Sequence, residues 1–509
     1  MKKATILFSI LLSAIIIFSG CAQSFVSQVS SSQANSTTSS AKKIDYEAPL
    51  KILVPYTPFD VKTDHAVTVL KEGTGFVNME FDLFPEQNYL DKLSLMFSSG
   101  DVGYDYVMIG AGGPEKGMYA TLVQKDLLTD LTDLLPSFPN LSAADPIGFE
   151  ALAVDGKQFA LAWTGLSYPS AQYVIRQDWL DALNLEAPGT RDELYDVLKA
   201  FKEEDPGGLG AENIPFCINP SVLHTSISGT YGIIYPFEDR DGKLVDTRLT
   251  PEYKEYLAFM SQLYSEGILD PDYPINTFSI VTEKGAAGRV GFTDGSTEGA
   301  NQLFLAREKE GLEPAVCTVM IPLMNPDNMR ICGSTKGLQR ICMIPKSSKY
   351  ADEVLAMVDA FLEPAAMESM IHGVEGEDYT VENDVRMPIL PNFDENRGNL
   401  YSILPLQDGD AYFPLWTMRT RKNAQSIEYW GQILAKTLDY QTIDPLAFAP
   451  AFESISNMTK NVNEYALQEA TKFIAGARKL DEFDSFVSEM KVKGADEIVE
   501  TYNEWYTNK

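Results

Sequence analysis

Apolar positions along this chain recur at two alternating periods, one suited to strands and one to helices, and that alternation predicts an α/β arrangement. Lys51-Ile52-Leu53-Val54 reads as a first strand, stopped by Pro55 and by a turn-prone loop that runs through Pro58. Tyr89, Leu90, Leu93 and Phe97 then repeat at helical spacing until Ser98-Ser99-Gly100 ends the run. Asp105 to Ile109 is a short buried strand that opens into Gly110-Ala111-Gly112-Gly113. Together these segments make a strand, helix, strand unit.

A second region opens near Tyr173, where Tyr173-Val174-Ile175 is strand-like and Trp179, Leu180 and Leu183 fall on one helical face. Thr190 and Glu193 form a capping-box pattern ahead of Leu194, Val197, Leu198 and Phe201, so this helix announces its own start. Tyr253 to Ile268 is amphipathic with Gly267 near its end, and Arg289 to Phe292 is a short strand broken by Asp294-Gly295. Val354, Leu355, Val358, Phe361 and Leu362 mark another helix. Leu480, Phe483, Phe486, Val487 and Met490 mark one more, stopped by Gly494. Thr501 to Trp505 is expected to pack the tail back onto the body.

The first residues follow neither period. Lys2 and Lys3 precede a mostly apolar run, Ala4 to Phe18, and then Ser19-Gly20-Cys21, which is the charged start, apolar middle and small-residue cleavage site of an export signal. The run is too short to span a bilayer. A cysteine after two small residues also resembles the bacterial lipobox, in which signal removal leaves Cys21 as the first mature residue, carrying a diacylglycerol whose two chains suffice for stable anchoring. An ordinary signal with a chance cysteine is the plainer alternative. Residues 22 to 47, rich in Ser, Thr, Gln and Asn, hold too little apolar surface to order themselves and read as a flexible tether, which favours the lipobox.

The body from about Ala48 onward is longer than one hydrophobic core usually serves, so two or more lobes are expected. A formal charge of −31, more negative still once Lys2 and Lys3 leave, disfavours nucleic acid or anionic lipid as the principal partner and otherwise serves solubility. Cys217, Cys317, Cys332 and Cys342 lack the close pairs of a zinc knuckle, so buried thiols or a single bridge are expected, with the pairing open. With only His65, His224 and His372, and no HExxH, GxSxG or P-loop, the metalloprotease, α/β-hydrolase and nucleotide-hydrolysing classes lack their residues. Gly110 to Gly113 follows a strand, but Glu115 stands where a dinucleotide fingerprint needs its third glycine, and a tight turn explains the run better.

Several stretches, in order, carry a resemblance. KDLLTDLTDLLPSFPNL from Lys125, DGKQFALAW from Asp155, IRQDWLDALNLEAPGTRDELYDVLKAFKEEDP from Ile175, LYSEGILDPDY from Leu263, IPKSSKYADEVL from Ile344 and HGVEGEDYTV from His372 span nearly the whole body. The chain resembles the extracellular solute-binding proteins of ABC importers, specifically the large Gram-positive lipoprotein branch of the maltose-binding-like family. The segment from Ile175 to Pro206 is the most specific of these matches.

That resemblance implies two lobes, each a central sheet flanked by helices, hinged by crossing segments near Ala162 to Tyr168, Phe292 to Ser296 and Ile344 to Ser348. Residues 48–165 with 293–345 would form the first lobe, and 166–292 with 346–509 the second. It implies capture of a carbohydrate, an oligosaccharide for preference, by a monomer that hands it to transporter permease subunits and is held at the outer face of the membrane by its lipid. Many relatives carry a calcium loop after the pair that corresponds to Asp205-Pro206. Here DPGGLGAENIP puts Gly207 and Leu209 where oxygen donors are wanted, so no calcium and no other cofactor is expected.

Sugar sites pair aromatic platforms with hydrogen-bonding side chains. Trp179, Trp430 and Trp505 sit in helical runs and belong to the core. Trp163, with Tyr168 close behind it, and Trp416, ahead of Arg419 and Arg421, stand equally as cleft platforms or hinge packing. Tyr56 and Asp60 follow the first strand, Phe292 and Asp294 end the strand that in the family returns at the cleft floor, and Tyr231 lies in a glycine-bracketed loop. Arg176, Arg419 and Arg421 would suit an acidic sugar but equally serve as surface salt-bridge partners. No catalytic residues are expected. A surface glycoside hydrolase survives as an alternative, because paired carboxylates carry no sequence signature, and so does a sensor or adhesion lipoprotein.

Overall fold

The computed structural model describes residues 43–55, 57, 59–85, 88–169, 173–221, 226–294 and 315–508, so the export signal, Cys21, most of the tether and Tyr56 lie outside the described residues. The body begins at Ile44, slightly before the expected boundary, because Ile44 already packs against the first core and Ala48 and Leu50 are fully buried. Its two principal sheets are built, among the described residues, from β1 (Lys51–Pro55), β2 (Glu80–Phe84), β3 (Tyr106–Gly110), β4 (Ala160–Thr164), β5 (Tyr173–Arg176), β6 (Ile214–Cys217), β7 (Val290–Asp294), β8 (Cys317–Val319) and β9 (Leu338–Met343). The first sheet runs β2-β1-β3-β9-β4 and the second β8-β5-β7-β6.

Strands β1, β2 and β3 are parallel, whereas β9 enters antiparallel between β3 and β4. Both faces of this sheet are covered, which is why Ile52, Leu53 and Val54 form an unbroken apolar run. Successive residues divide between two cores: Ile52, Val54, Tyr106, Met108, Leu161 and Trp163 face one, while Leu53, Val107, Ile109, Ala160 and Ala162 face the other. In the second lobe Tyr173, Ile175, Phe216 and Phe292 build the main core. The helix Arg191–Glu204 starts as its sequence dictates: Thr190 Oγ1 accepts from the Glu193 amide at 3.3 Å and Glu193 returns the bond to the Thr190 amide at 3.2 Å.

The packing departs from the expected partition in two places. Residues 351–412, assigned to the second lobe, pack into the first core through Val354, Leu355, Val358, Phe361, Met367, Leu400 and Leu404, because their helices cover the first sheet's open face. Strand β8, assigned to the first lobe, pairs with β5 of the second sheet.

The crossings move accordingly. The segment after β4 does leave the first sheet for the second, as the sequence suggests. The crossing expected at Phe292 to Ser296 lies partly outside the described residues, and the strands before and after it, β7 and β8, belong to one sheet; Ile344 to Ser348 is no crossing, since helices of the first lobe follow it. The chain returns instead between β8 and β9 and leaves again near residues 417–424, ahead of the helix Ala424–Thr437, which packs on β8. Two crossings run side by side: the Thr335 amide donates to Tyr168 O at 2.8 Å and the Gly165 amide to Gly337 O at 2.8 Å.

Cys217, Cys317, Cys332 and Cys342 are not bridged. Three are buried, and burial pushes the Cys332 and Cys342 thiols up to about 12.

Candidate ligand-binding cleft

A cavity of about 750 Å3 lies at the carboxyl ends of β1 and β3, where Pro55 and Gly110 form its floor. Open sheets of mostly parallel strands bind ligands at that end, where helix N-termini converge. One wall is the start of the helix Tyr89–Ser99, with Asn88 and Asp91, and the start of the helix Gly113–Gln124, with Glu115. The facing wall is the long helix Glu453–Ile474, with Glu453, Asn457 and Lys460. The glycine run is what lets the chain turn here: a Cβ on Gly112 would sit 2.7 Å from a Glu115 carboxylate oxygen.

The long helix belongs to the second core through Ile455, Val462 and Phe473, yet its first turns dock on the first lobe. Ser456 donates to Gly113 O at 2.6 Å, and Thr121 donates to Glu453 at 2.9 Å. Lys116 donates to Ala449 O at 2.6 Å, and its burial lowers the ammonium to about 8. The cavity is therefore an interlobe cleft.

Strand β9 delivers the cation of the site. Its antiparallel register sets Arg340 opposite Gly110 on one side and Trp163 on the other. The guanidinium lies 4.5 Å from the centre of the Trp163 ring, and the indole N–H below donates to Gln407. Its Nη1 reaches Met108 Sδ at 3.2 Å, and burial lowers its pKa. The walls thus offer donors on Asn88, Gln339, Arg340, Asn457 and Lys460 and acceptors on Asp91, Glu115 and Glu453, a set suited to a ligand rich in hydroxyls. Among the described residues no three His, Cys, Asp or Glu side chains are grouped to hold a metal ion.

No family model matches the chain. Lipoprotein LipO of Bacillus subtilis (strain 168) is 25% identical over 512 residues, covering 97% of this chain and 96% of that one. Among solved structures, the S. pneumoniae ABC-transporter substrate-binding protein FusA in complex with kestose superposes with a TM-score of 0.69 at 20% identity, over 90% of this chain and 99% of its own. The alginate-binding protein AlgQ2, solved without calcium ion, gives 0.68 at 19%, over 90% and 98%. The fold is that of the ABC-transporter solute-binding proteins.

Within this solute-binding-protein fold, the residues expected in the cleft are dispersed. Trp163 is near the cleft but buried beneath Arg340, so its ring supports the site instead of facing a ligand. Tyr168 stacks on Trp416 at 5.7 Å and on Phe413 at 6.3 Å, and Trp416 meets Trp430 at 5.1 Å; these rings join the first core to the β5–β8 face of the second lobe, which is hinge packing. Phe292 is core, stacked on Tyr173 at 4.6 Å, because its strand lies inside the second sheet. Tyr231 lies under Arg191 in an outer hollow with Tyr195 and Phe259, away from the cleft.

Asp60 is exposed, caps the Lys62 amide and lines a separate depression. Asp294 ends β7, and its side chain is outside the described residues. Arg419 donates to Gly398 O at 2.6 Å and covers Tyr401, while Arg176 is committed to Asp178. Of the tryptophans expected in the core, Trp179 and Trp430 are buried and Trp505 is half-buried. Sequence reading missed Arg340, Asn88, Asn457 and Lys460, and only the glycine turn at Gly110 to Gly113 signalled this end of the sheet.

The loop after Asp205, where the resemblance raises the question of calcium, does not fit the ion. The Asp205 carboxylate accepts from the amides of Leu209 at 2.9 Å and Gly210 at 2.7 Å. Glu212 pairs with Arg289 at 2.9 Å, and Asn213 donates to Phe201 O at 2.7 Å. The Asp205 carboxylate is spent closing the loop on itself and Glu212 is held by Arg289, so the Asn213 side-chain oxygen alone is left over, and two glycines and a leucine add none of the six to eight that calcium takes.

Proposed function

We propose that this protein is the receptor of an ABC importer, which captures an oligosaccharide between its lobes and hands it unaltered to permease subunits. It works as a monomer at the outer face of the cell membrane, held by lipid on Cys21. The observation that carries this reading is the polar cavity of about 750 Å3 at the strand ends, walled by both lobes. A ligand that touches both walls stabilises the closed arrangement over the open one, and the closed arrangement is what a transporter can distinguish. The lipoprotein name of one relative and the kestose bound by FusA favour the same reading.

In this account Asn88, Asp91, Glu115, Gln339, Arg340 and Asn457 meet the ligand. Trp163 and Gln407 hold Arg340 from beneath, and Tyr168, Phe413 and Trp416 serve the hinge. The test is calorimetric titration of the mature chain with neutral and acidic oligosaccharides, each mixture then assayed for new reducing ends. Saturable one-to-one binding with the sugar recovered intact is expected. Cleaved sugar, or no binding across the panel, overturns the reading.

A further inference from the structure

We propose that the cleft selects an oligosaccharide bearing a carboxylate, and that Arg340 is the residue that receives it. This rests on the receptor reading above and adds the chemical class of the ligand.

Among the described residues Arg340 is the one arginine lining the cavity, and it holds no anion there, whereas arginines away from the cavity are paired with carboxylates or, like Arg330, Arg419 and Arg421, donate to backbone carbonyls. Arg176 is locked on Asp178, Arg386 on Glu368 and Arg397 on Asp378. No carboxylate among the described residues forms an ion pair with Arg340, although Asp91, Glu115 and Glu453 line the same cavity. A guanidinium carries five N–H donors in a fixed fork. Here one reaches a thioether sulfur, a weak acceptor, and the plane rests on an indole face. The remaining donors belong to a residue lining the cavity floor.

The protein has also fixed the group in place. Trp163, beneath it, is itself anchored through its N–H to Gln407, and β9 is paired on both sides, so the fork is held before any ligand arrives. A cation kept partly out of water with no counter-charge is costly, and an arriving carboxylate that meets it edge-on regains that cost through two parallel charge-assisted bonds. A neutral hydroxyl fills the same space with one ordinary bond. The other cation lining the cavity, Lys460, is a half-exposed point charge on a flexible stem, with only a solvent-exposed contact to Glu464 at 4.0 Å, whereas the Arg340 fork is held in place for a two-bond contact. The acidic side chains on the walls are placed to accept from sugar hydroxyls, which every ring of such a ligand supplies.

The experiment compares trimers of galacturonate, glucuronate and mannuronate with their carboxyl-reduced counterparts, alongside kestose and maltotriose, on the full mature chain. Calorimetry is run on the wild type, Arg340→Lys and Arg340→Met. The expected result is that at least one uronate trimer binds about tenfold or more tighter than its reduced partner. That margin shrinks in Arg340→Lys and vanishes in Arg340→Met. The wild-type comparison needs no variant, so it decides the matter even if Arg340→Met fails to fold. Binding of neutral sugars with no margin for any uronate overturns this inference and leaves the receptor reading intact. A margin that persists in Arg340→Met removes Arg340 from the role. No binding by any sugar brings down the receptor reading itself, and this inference with it.

Discussion

His372 shows how burial can set the charge of a single side chain. Its surroundings strip water from the ring and Arg386 faces Nδ1, so both hold its pKa below the ordinary 6.5, against a bond to Leu415 O at 3.0 Å that works the other way. Glu368 and Arg421 complete the charged surroundings. Since Nδ1 accepts from Arg386, the proton sits on Nε2 and the ring is neutral. With the folded value below the unfolded one, the unfolded chain binds the extra proton first on acidification, so stability is full above pH 6.5 and falls as the pH drops below it. Urea unfolding at pH 7 and pH 5 should show a smaller acid loss in His372→Gln than in the wild type. An equal loss would mean that the ring charges freely in the fold. Roles of this kind are hidden from sequence reading, because the partners are remote: Arg340 and Met108 are 232 positions apart, Trp163 and Gln407 244. A residue such as Phe292 looks like a cleft aromatic until its strand is known to lie inside a sheet.

Elements were far more legible than their partners. The helices Tyr89–Ser99, Arg191–Glu204 and Pro251–Ser265 carry their stops and starts locally, in Gly100, in the Thr190–Glu193 box and in Gly267, where a φ of +65° suits glycine. The loop after Asp205 belongs to the same class, since two glycines and a leucine in place of oxygen donors can be read from the chain itself. Its self-closure makes a prediction: adding calcium, or removing it with EDTA, leaves the melting temperature where it was. A rise of several degrees with calcium would mean that the ion displaces the amide bonds to Asp205. What local sequence could not say is which lobe an element joins. The helix Ala351–Leu362 presents the same apolar stripe to either core, and only long-range packing assigns it to the first.

At the scale of the whole molecule, the two lobes touch through a helix crossing that tolerates no extra atom. A Cβ on Gly117 would fall inside van der Waals contact with Ser456. Gly117→Ala should therefore cost about 1–3 kcal/mol by urea unfolding, even though alanine favours an isolated helix. Adding Ser456→Gly should return more than the two single effects sum to, and strict additivity would place the strain elsewhere. The arrangement of crossings was the least legible part of the fold. It depends on β8 and β9 pairing in different sheets, and nothing in the residues between them records that. The sulfur chemistry of the body has a consequence for its biogenesis. Because the four thiols of the described body stand unjoined, three of them packed away, its native state needs no disulfide and can be reached in a reducing compartment or an oxidising one.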